Sequence, residues 1–112
     1  MRKFLIAMVT VFMSASSAGQ TDDARMEYCI QLHDTAVAAM DQRIGGLSEK
    51  NAKLMANHKT TRAIINLVYS GSVRTVDRAR SFAAQLGMSM TETCMESDNM
   101  YNDLQSKGWR TE

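Results

Sequence analysis

The sequence predicts an all-α protein, built as a small irregular array of about four helices stapled by one disulfide. Three observations favour this fold class. The chain contains no proline, its internal glycines divide it into segments of helical length, and apolar residues recur at steps of three and four within those segments. The chain has only two cysteines, Cys29 in the first helical segment and Cys94 in the last.

Residues 1–18 have the composition of a secretory signal peptide. Arg2 and Lys3 precede an apolar run from Phe4 to Met13, and small residues lead to a predicted cleavage site after Ala18. The apolar run is about half of the roughly twenty residues that cross a bilayer, so we expect no stable membrane insertion after cleavage. The sequence therefore predicts a periplasmic or secreted protein, with residues 19–112 as a single helical domain.

Capping residues and glycines delimit the predicted helices, because serine and threonine favour helix starts and glycine favours helix ends. The first helix is expected from Asp22 to Ile44. The other three are bounded by Ser48 and Gly71, by Ser72 and Gly87, and by the capping box Ser89-Met90-Thr91-Glu92 and Gly108.

Two segments are expected to be less ordered than the rest. The polar stretch from Lys50 to Lys59 is expected to be partly exposed or frayed. Residues 108–112 are expected to form a loose tail, from which Trp109 can fold back onto the core.

Export to an oxidising compartment predicts a disulfide between Cys29 and Cys94. Closing a loop of roughly 66 residues would stabilise the fold by about 4 kcal/mol in the chain-entropy model. A redox role would favour a closer spacing, and an intermolecular link is the remaining alternative. In a regular bundle the two cysteines would lie near opposite ends of their helices. We therefore expect a short third helix that crosses at a steep angle.

Charge is segregated along the chain. Thirteen basic and twelve acidic residues become eleven and twelve once Arg2 and Lys3 are removed with the signal peptide, a net charge of −1. Residues 19–44 and 88–112 carry two basic and five acidic residues each, a net of −3, whereas residues 49–80 carry seven and two, a net of +5. The overall balance argues against a general polyanion binder, and export argues against nucleic acid as a partner.

The segregation has two interpretations. In the structural one, the basic middle helices pack against the acidic end helices and the charges offset each other. In the functional one, a basic face binds an anionic partner. That face would contain Lys59, Arg62, Arg74 and Arg78.

Methionines near the C-terminus offer an alternative function. Met88, Met90, Met95 and Met100 could bind Cu(I), because soft thioethers select that ion and Met88-x-Met90 at an exposed helix start could supply two ligands. Methionine is also ordinary core filler, so the leading expectation is a protein without a cofactor.

The two histidines, His33 and His58, lie within the inward stripes of their helices. Their protonation in mild acid could expose apolar surface, which would make the protein an acid-activated chaperone. Catalysis is not expected. There is no Gly-x-Ser-x-Gly nucleophile motif, and His33 and Asp34 are neighbours whose side chains should point in different directions.

Several short motifs resemble a type of small secreted protein of proteobacteria and their phages. They are Cys29, residues 36–40, Arg43-Ile44-Gly45-Gly46-Leu47-Ser48, Ile64-Ile65-Asn66-Leu67-Val68-Tyr69, Phe82 and Cys94. Proteins of that type have a signal peptide, an amphipathic helix that starts at a cysteine, an Arg-x-x-Gly-x-Ser helix end and a closing cysteine. The present chain departs from the pattern after Tyr69, where Ser70-Gly71-Ser72 replaces an expected proline. The resemblance implies fold and compartment, and it carries over no catalytic residue.

These observations together predict a small exported helical protein that binds a partner and is not an enzyme. We expect the partner to be a protein of the cell envelope, bound on a rigid, disulfide-stapled helical surface.

Overall fold

The computed structural model describes the backbone of residues 2–110 and the side chains of residues 23–110. Five helices and no strand are found in that part of the chain: α1 (Arg2–Ile44), α2 (Glu49–Met55), α3 (Lys59–Ser70), α4 (Val76–Glu96) and α5 (Asp98–Ser106). The predicted all-α class is confirmed, with five helices instead of about four.

The predicted signal peptide, residues 1–18, and its cleavage site lie outside the residues whose side chains are described. Among the described residues, no helix has both the length and the apolar character needed to span a membrane.

The second predicted helix is in fact two helices. The backbone turns at Ala56, which is extended, and α3 starts anew at Lys59. His58 caps this start, because its Nδ1 accepts a hydrogen bond of 3.0 Å from the backbone N–H of Thr60. The break thus falls within the polar stretch that the sequence marked as less ordered.

The third predicted helix and the first part of the fourth form one helix, α4, and the rest of the fourth is the separate helix α5. α4 runs without interruption from Val76 to Glu96 and passes through Gly87, which was predicted to end a helix. Thr75 caps its start in place of Ser72. The predicted capping box lies inside the helix, where the buried hydroxyl of Thr91 donates to the carbonyl of Gly87 at 2.8 Å.

α4 packs antiparallel against α1. Cys29 is bonded to Cys94, His33 contacts Gly87, and Met40 and Ala79 line the same pocket. The buried residues of α4 are all small: Ala79, Ala83, Gly87, Thr91 and Cys94. Small side chains allow two helices to approach closely, so the α1–α4 pair forms the centre of the fold.

The predicted disulfide is confirmed, with 5.7 Å between the Cα atoms of Cys29 and Cys94. Both cysteines are completely buried. The predicted explanation for their proximity, a short third helix at a steep angle, is wrong. The two cysteines meet because α4 is one long helix that lies alongside α1 as far as Cys29.

The C-terminal segment is anchored by Trp109, which is completely buried. Its indole Nε1 donates to the hydroxyl of Thr61 at 3.0 Å, and its carbonyl accepts from the hydroxyl of Tyr28 at 2.7 Å. Gly108, with a φ of 73°, makes the turn that brings Trp109 back. The expected loose tail is therefore wrong for Trp109, and its expected return to the core is confirmed.

The motif from Arg43 to Ser48 forms a turn that hydrogen bonds hold against α3. Arg43 donates to the carbonyl of Val68 in the last turn of α3 at 2.9 Å, and Tyr69 donates to the carbonyl of Leu47 at 2.7 Å. Gly46, at a φ of 94°, turns the chain, and Ser48 caps α2. These contacts hold the end of α1 and the start of α2 against the end of α3.

Gly87→Ala should destabilise the protein, although alanine favours helix more than glycine does. A Cβ at position 87 would lie 2.7 Å from the Cα of His33, so the α1 backbone would have to move. Overpacking costs about 1–3 kcal/mol and helix propensity returns at most about 1 kcal/mol, so we expect a net loss of about 1–2 kcal/mol in urea unfolding. Ser89→Ala, at an exposed position of the same helix, is the control and should not lower stability. An equal or higher stability for Gly87→Ala would contradict the close α1–α4 contact.

Tyr28→Phe should lower stability at neutral pH and reduce its loss in alkali. The carbonyl of Trp109 would lose its donor, at a cost of about 1 kcal/mol. Burial raises the pKa of Tyr28, and Tyr101 raises it further, whereas Arg110 lowers it. Because the folded pKa lies above the unfolded one, the folded state loses stability as the pH rises beyond about 10. Thermal melts from pH 7 to pH 11 should show a shallower alkaline decline for Tyr28→Phe than for the wild type. An alkaline decline of Tyr28→Phe equal to that of the wild type would contradict the role of Tyr28.

Candidate functional site

The four cations of the predicted binding face are all exposed, but they do not share one face. Lys59 and Arg62 lie in the first turn of α3, whereas Arg74 precedes α4 and Arg78 lies in its first turn. α3 has twelve residues and is about 18 Å long, and it separates the two pairs. We call Lys59 and Arg62 the α3 pair, and Arg74 and Arg78 the α4 pair.

No member of either pair forms an ion pair with a described residue. The Lys and Arg ion pairs of the described part of the chain are Arg25–Asp98, Lys53–Glu49 and Lys107–Asp103. Only Arg25–Asp98 joins two helices, and both of its members belong to the acidic segments. None of these ion pairs joins the basic middle of the chain to an acidic end segment, so the described ion pairs add no support to the structural interpretation of the charge segregation, which stays a prediction.

Arg62 has a structural contact within the fold. Its guanidinium donates to the carbonyl of Ala56 at 2.9 Å, at the end of α2. Arg74 and Arg78, for which no such contact is found among the described residues, are the better candidates for binding a partner.

A pocket of about 250 Å³ lies beside the α4 pair, where the end of α1 meets the start of α4. We call it the corner pocket. It is lined by Met40, Arg43, Ile44, Val73, Arg74, Thr75, Val76 and Ala79. The lining residues include two arginines and no acidic residue. The exposed acids Asp41 and Asp77 are adjacent in sequence to this region but do not line it.

A second concavity is an apolar groove of about 280 Å³ between α1, α2 and α3. Its lining residues are Thr35, Ala38, Ala39, Gln42, Ala52, Met55, Ala56, Thr61 and Ile65, and none of them is charged. Leu54 and Met55 of α2 are 74% and 63% exposed. The groove offers apolar contact without any electrostatic selection.

The four methionines of the copper hypothesis do not gather at a helix start. Met88 and Met90 lie inside α4, where residues two positions apart project toward nearly opposite sides. Met90, Met95 and Met100 pack against the core, and Met88 is 38% exposed. No group of three or more His, Cys, Asp or Glu side chains that could hold a metal occurs among residues 23–110.

Both histidines make contacts within the fold. The ring of His33 packs against Gly87, and its Nδ1 lies 3.2 Å from a carboxylate oxygen of Asp34. The expectation that these neighbours point apart is therefore wrong. His58 caps α3 with Nδ1, and its Nε2 lies 3.0 Å from the carbonyl of Lys107.

Sequence reasoning missed Arg25 and Tyr28, which connect α1 to the C-terminal part of the chain. Arg25 donates to the carbonyl of Cys94 at 2.9 Å and lies over the ring of Tyr101 at 4.5 Å. Tyr28 contacts the rings of Tyr101 and Trp109 edge to face. Their place in the sequence could have identified them, because both residues lie within about one helical turn of Cys29.

Sequence reasoning also missed Arg43 and Val76 as lining residues of the corner pocket. Arg43 was noticed only as part of a helix-end motif. No local signal shows that the end of α1 and the start of α4 meet, because that meeting depends on the packing of the two helices.

Comparison with known proteins gives no relative: no family model, no curated protein and no solved structure matches this chain. The resemblance to small secreted proteins of proteobacteria and their phages remains a prediction from the sequence.

Proposed function

We propose that this protein is a small exported binding protein without catalytic activity, which recognises an acidic surface of a protein partner in the cell envelope. The observation that carries the proposal is the set of exposed cations without an acidic partner, the α4 pair above all. Solvated cations that have no role inside the fold are available to a partner, and complementary charge increases the rate and specificity of association.

The packing of the helices that carry these cations supports a binding role. The buried disulfide, the close α1–α4 contact and the anchored Trp109 hold the helices in one arrangement. A surface that is already ordered loses little conformational entropy when it binds. A small protein can therefore bind specifically with few contacts.

The alternatives have less support. A Cu(I) site at Met88, Met90, Met95 and Met100 would need these side chains to converge, and the helix directs Met88 and Met90 apart. An acid-activated chaperone would need His33 and His58 to control apolar surface. Both histidines make contacts within the fold, and no observation favours them over the cations as the functional groups.

Reversing the α4 pair should weaken partner binding. The partner would first be identified by crosslinking in the envelope of producing cells, and its affinity for the purified protein would then be measured at low and high salt. We expect Arg74→Glu/Arg78→Glu to weaken binding about tenfold or more and to remove most of the salt dependence.

Two controls accompany this measurement. Glu92→Lys/Glu96→Lys changes the same number of charges at the other end of α4 and should not weaken binding. Lys59→Glu tests the α3 pair without breaking the contact between Arg62 and Ala56. An affinity that is insensitive both to salt and to the reversal of Arg74 and Arg78 would overturn the proposed cationic binding surface.

A further inference from the structure

The corner pocket combines apolar walls with cations. Its walls are apolar where Met40, Ile44, Val73, Val76 and Ala79 line it. Its cations are Arg43 and Arg74, and Arg78 follows in the first turn of α4. The apolar groove under α2, by contrast, has no charged lining.

The cations at the corner have donors available for an anion. Arg43 uses Nη1 for the carbonyl of Val68, and a guanidinium has five N–H groups. Arg74 forms no ion pair with a described residue. With Arg78 counted and the nearby Asp41 and Asp77 subtracted, three cations and two anions leave a local charge of +1. The charged residues of the lining itself, Arg43 and Arg74, are both cations.

An apolar residue is also exposed at the pocket. Val76 is 47% exposed although it is the first residue of α4, where polar side chains are common. A polar residue at this position would strengthen the helix start. The exposed valine instead extends the apolar wall of the pocket to the surface.

We propose that the corner pocket is the specificity site of the binding surface, and that it receives an aliphatic side chain of the protein partner with a carboxylate on the adjacent residue. The aliphatic group lies against Val73 and Val76, and the carboxylate lies against the guanidinium groups of Arg43 and Arg74. This inference rests on the proposed function and adds the local chemistry of the partner. Charge complementarity selects an acidic segment, and the apolar walls distinguish it from a merely acidic one.

The test uses capped dipeptides and backbone amide NMR spectra of the processed, oxidised protein. Acetyl-Leu-Asp-amide and the reverse order, acetyl-Asp-Leu-amide, are the probes. Acetyl-Leu-Lys-amide removes the anion, and acetyl-Gly-Asp-amide removes the aliphatic group. We expect at least one probe to bind with a millimolar Kd and to shift the amides of residues 43–44 and 73–79. Each of the two comparison peptides should bind at least about fivefold more weakly.

Two variants localise the binding. Val76→Asp places a carboxylate at the mouth of the pocket, at a helix position that tolerates acids, so the fold should be retained. It should weaken probe binding about tenfold. Arg80→Glu makes a larger charge change at an exposed position of α4 outside the pocket lining, and it should alter binding less than about twofold. If the spectrum of Val76→Asp shows unfolding, Arg74→Glu serves in its place.

Several outcomes would overturn the inference. Shifts at Ala38, Ala52 and Ile65 would place the probe in the apolar groove instead. Equal binding of acetyl-Leu-Lys-amide would remove the role of the anion. Hexanoate that binds about tenfold more tightly than either probe would identify a free aliphatic acid as the ligand in place of a protein segment.

The inference and the proposed function can fail separately. If the partner is lost on reversal of Arg74 and Arg78 but no dipeptide shifts the corner residues, the cationic surface stands and the pocket is not its specificity site. If a dipeptide binds the corner pocket but the affinity of the partner does not change on reversal of Arg74 and Arg78, the proposed function fails.

Discussion

The close contact between α1 and α4 is the constraint on which the rest of the structure depends. It requires Gly87, because a Cβ at that position would lie 2.7 Å from the Cα of His33. The disulfide fixes the same pair of helices less than two turns further along. Packing at this distance is possible only because the buried residues of α4 are small. The other helices are then placed around a pair whose register is already fixed.

This arrangement also decides where charge appears on the surface. Arg78 lies at the start of α4 and Glu92 and Glu96 near its end. Fourteen residues separate Arg78 from Glu92, which corresponds to about 21 Å along the helix. That distance exceeds the screening length of about 8 Å at physiological salt, so these charges do not offset each other within the helix. The start of α4 is therefore left as a cationic surface beside the apolar corner pocket.

The C-terminal segment gives the small domain a second fixed point. Trp109 lies between Tyr28 of α1 and Thr61 of α3, and its polar groups are hydrogen-bonded to both. A domain of this size has a thin core, so a single large buried side chain contributes substantially to its stability. The disulfide joins α1 to α4, and Trp109 joins α1 to α3. Between them these two connections fix α1 against both α4 and α3.

The sequence by itself determined the helical class, the pairing of its two cysteines, the end of α1 at Ile44 and the cap of α2 at Ser48. These features depend on composition and on residues close together in the chain. Only the tertiary structure decided that Gly87 and Ser89 lie inside a helix, and that His58 caps the start of one.

The physical reason is that the same residues serve more than one purpose. Glycine can end a helix or allow two helices to touch, and a short polar residue can cap a helix or lie within it. At Gly87 the close approach of the α1 backbone requires a glycine inside the helix. At His58 the contact with the neighbouring C-terminal segment favours the capping role. The corner pocket was equally beyond local reasoning, because its walls come from two stretches of the chain, residues 40–44 and 73–79, that meet only when α4 lies along α1.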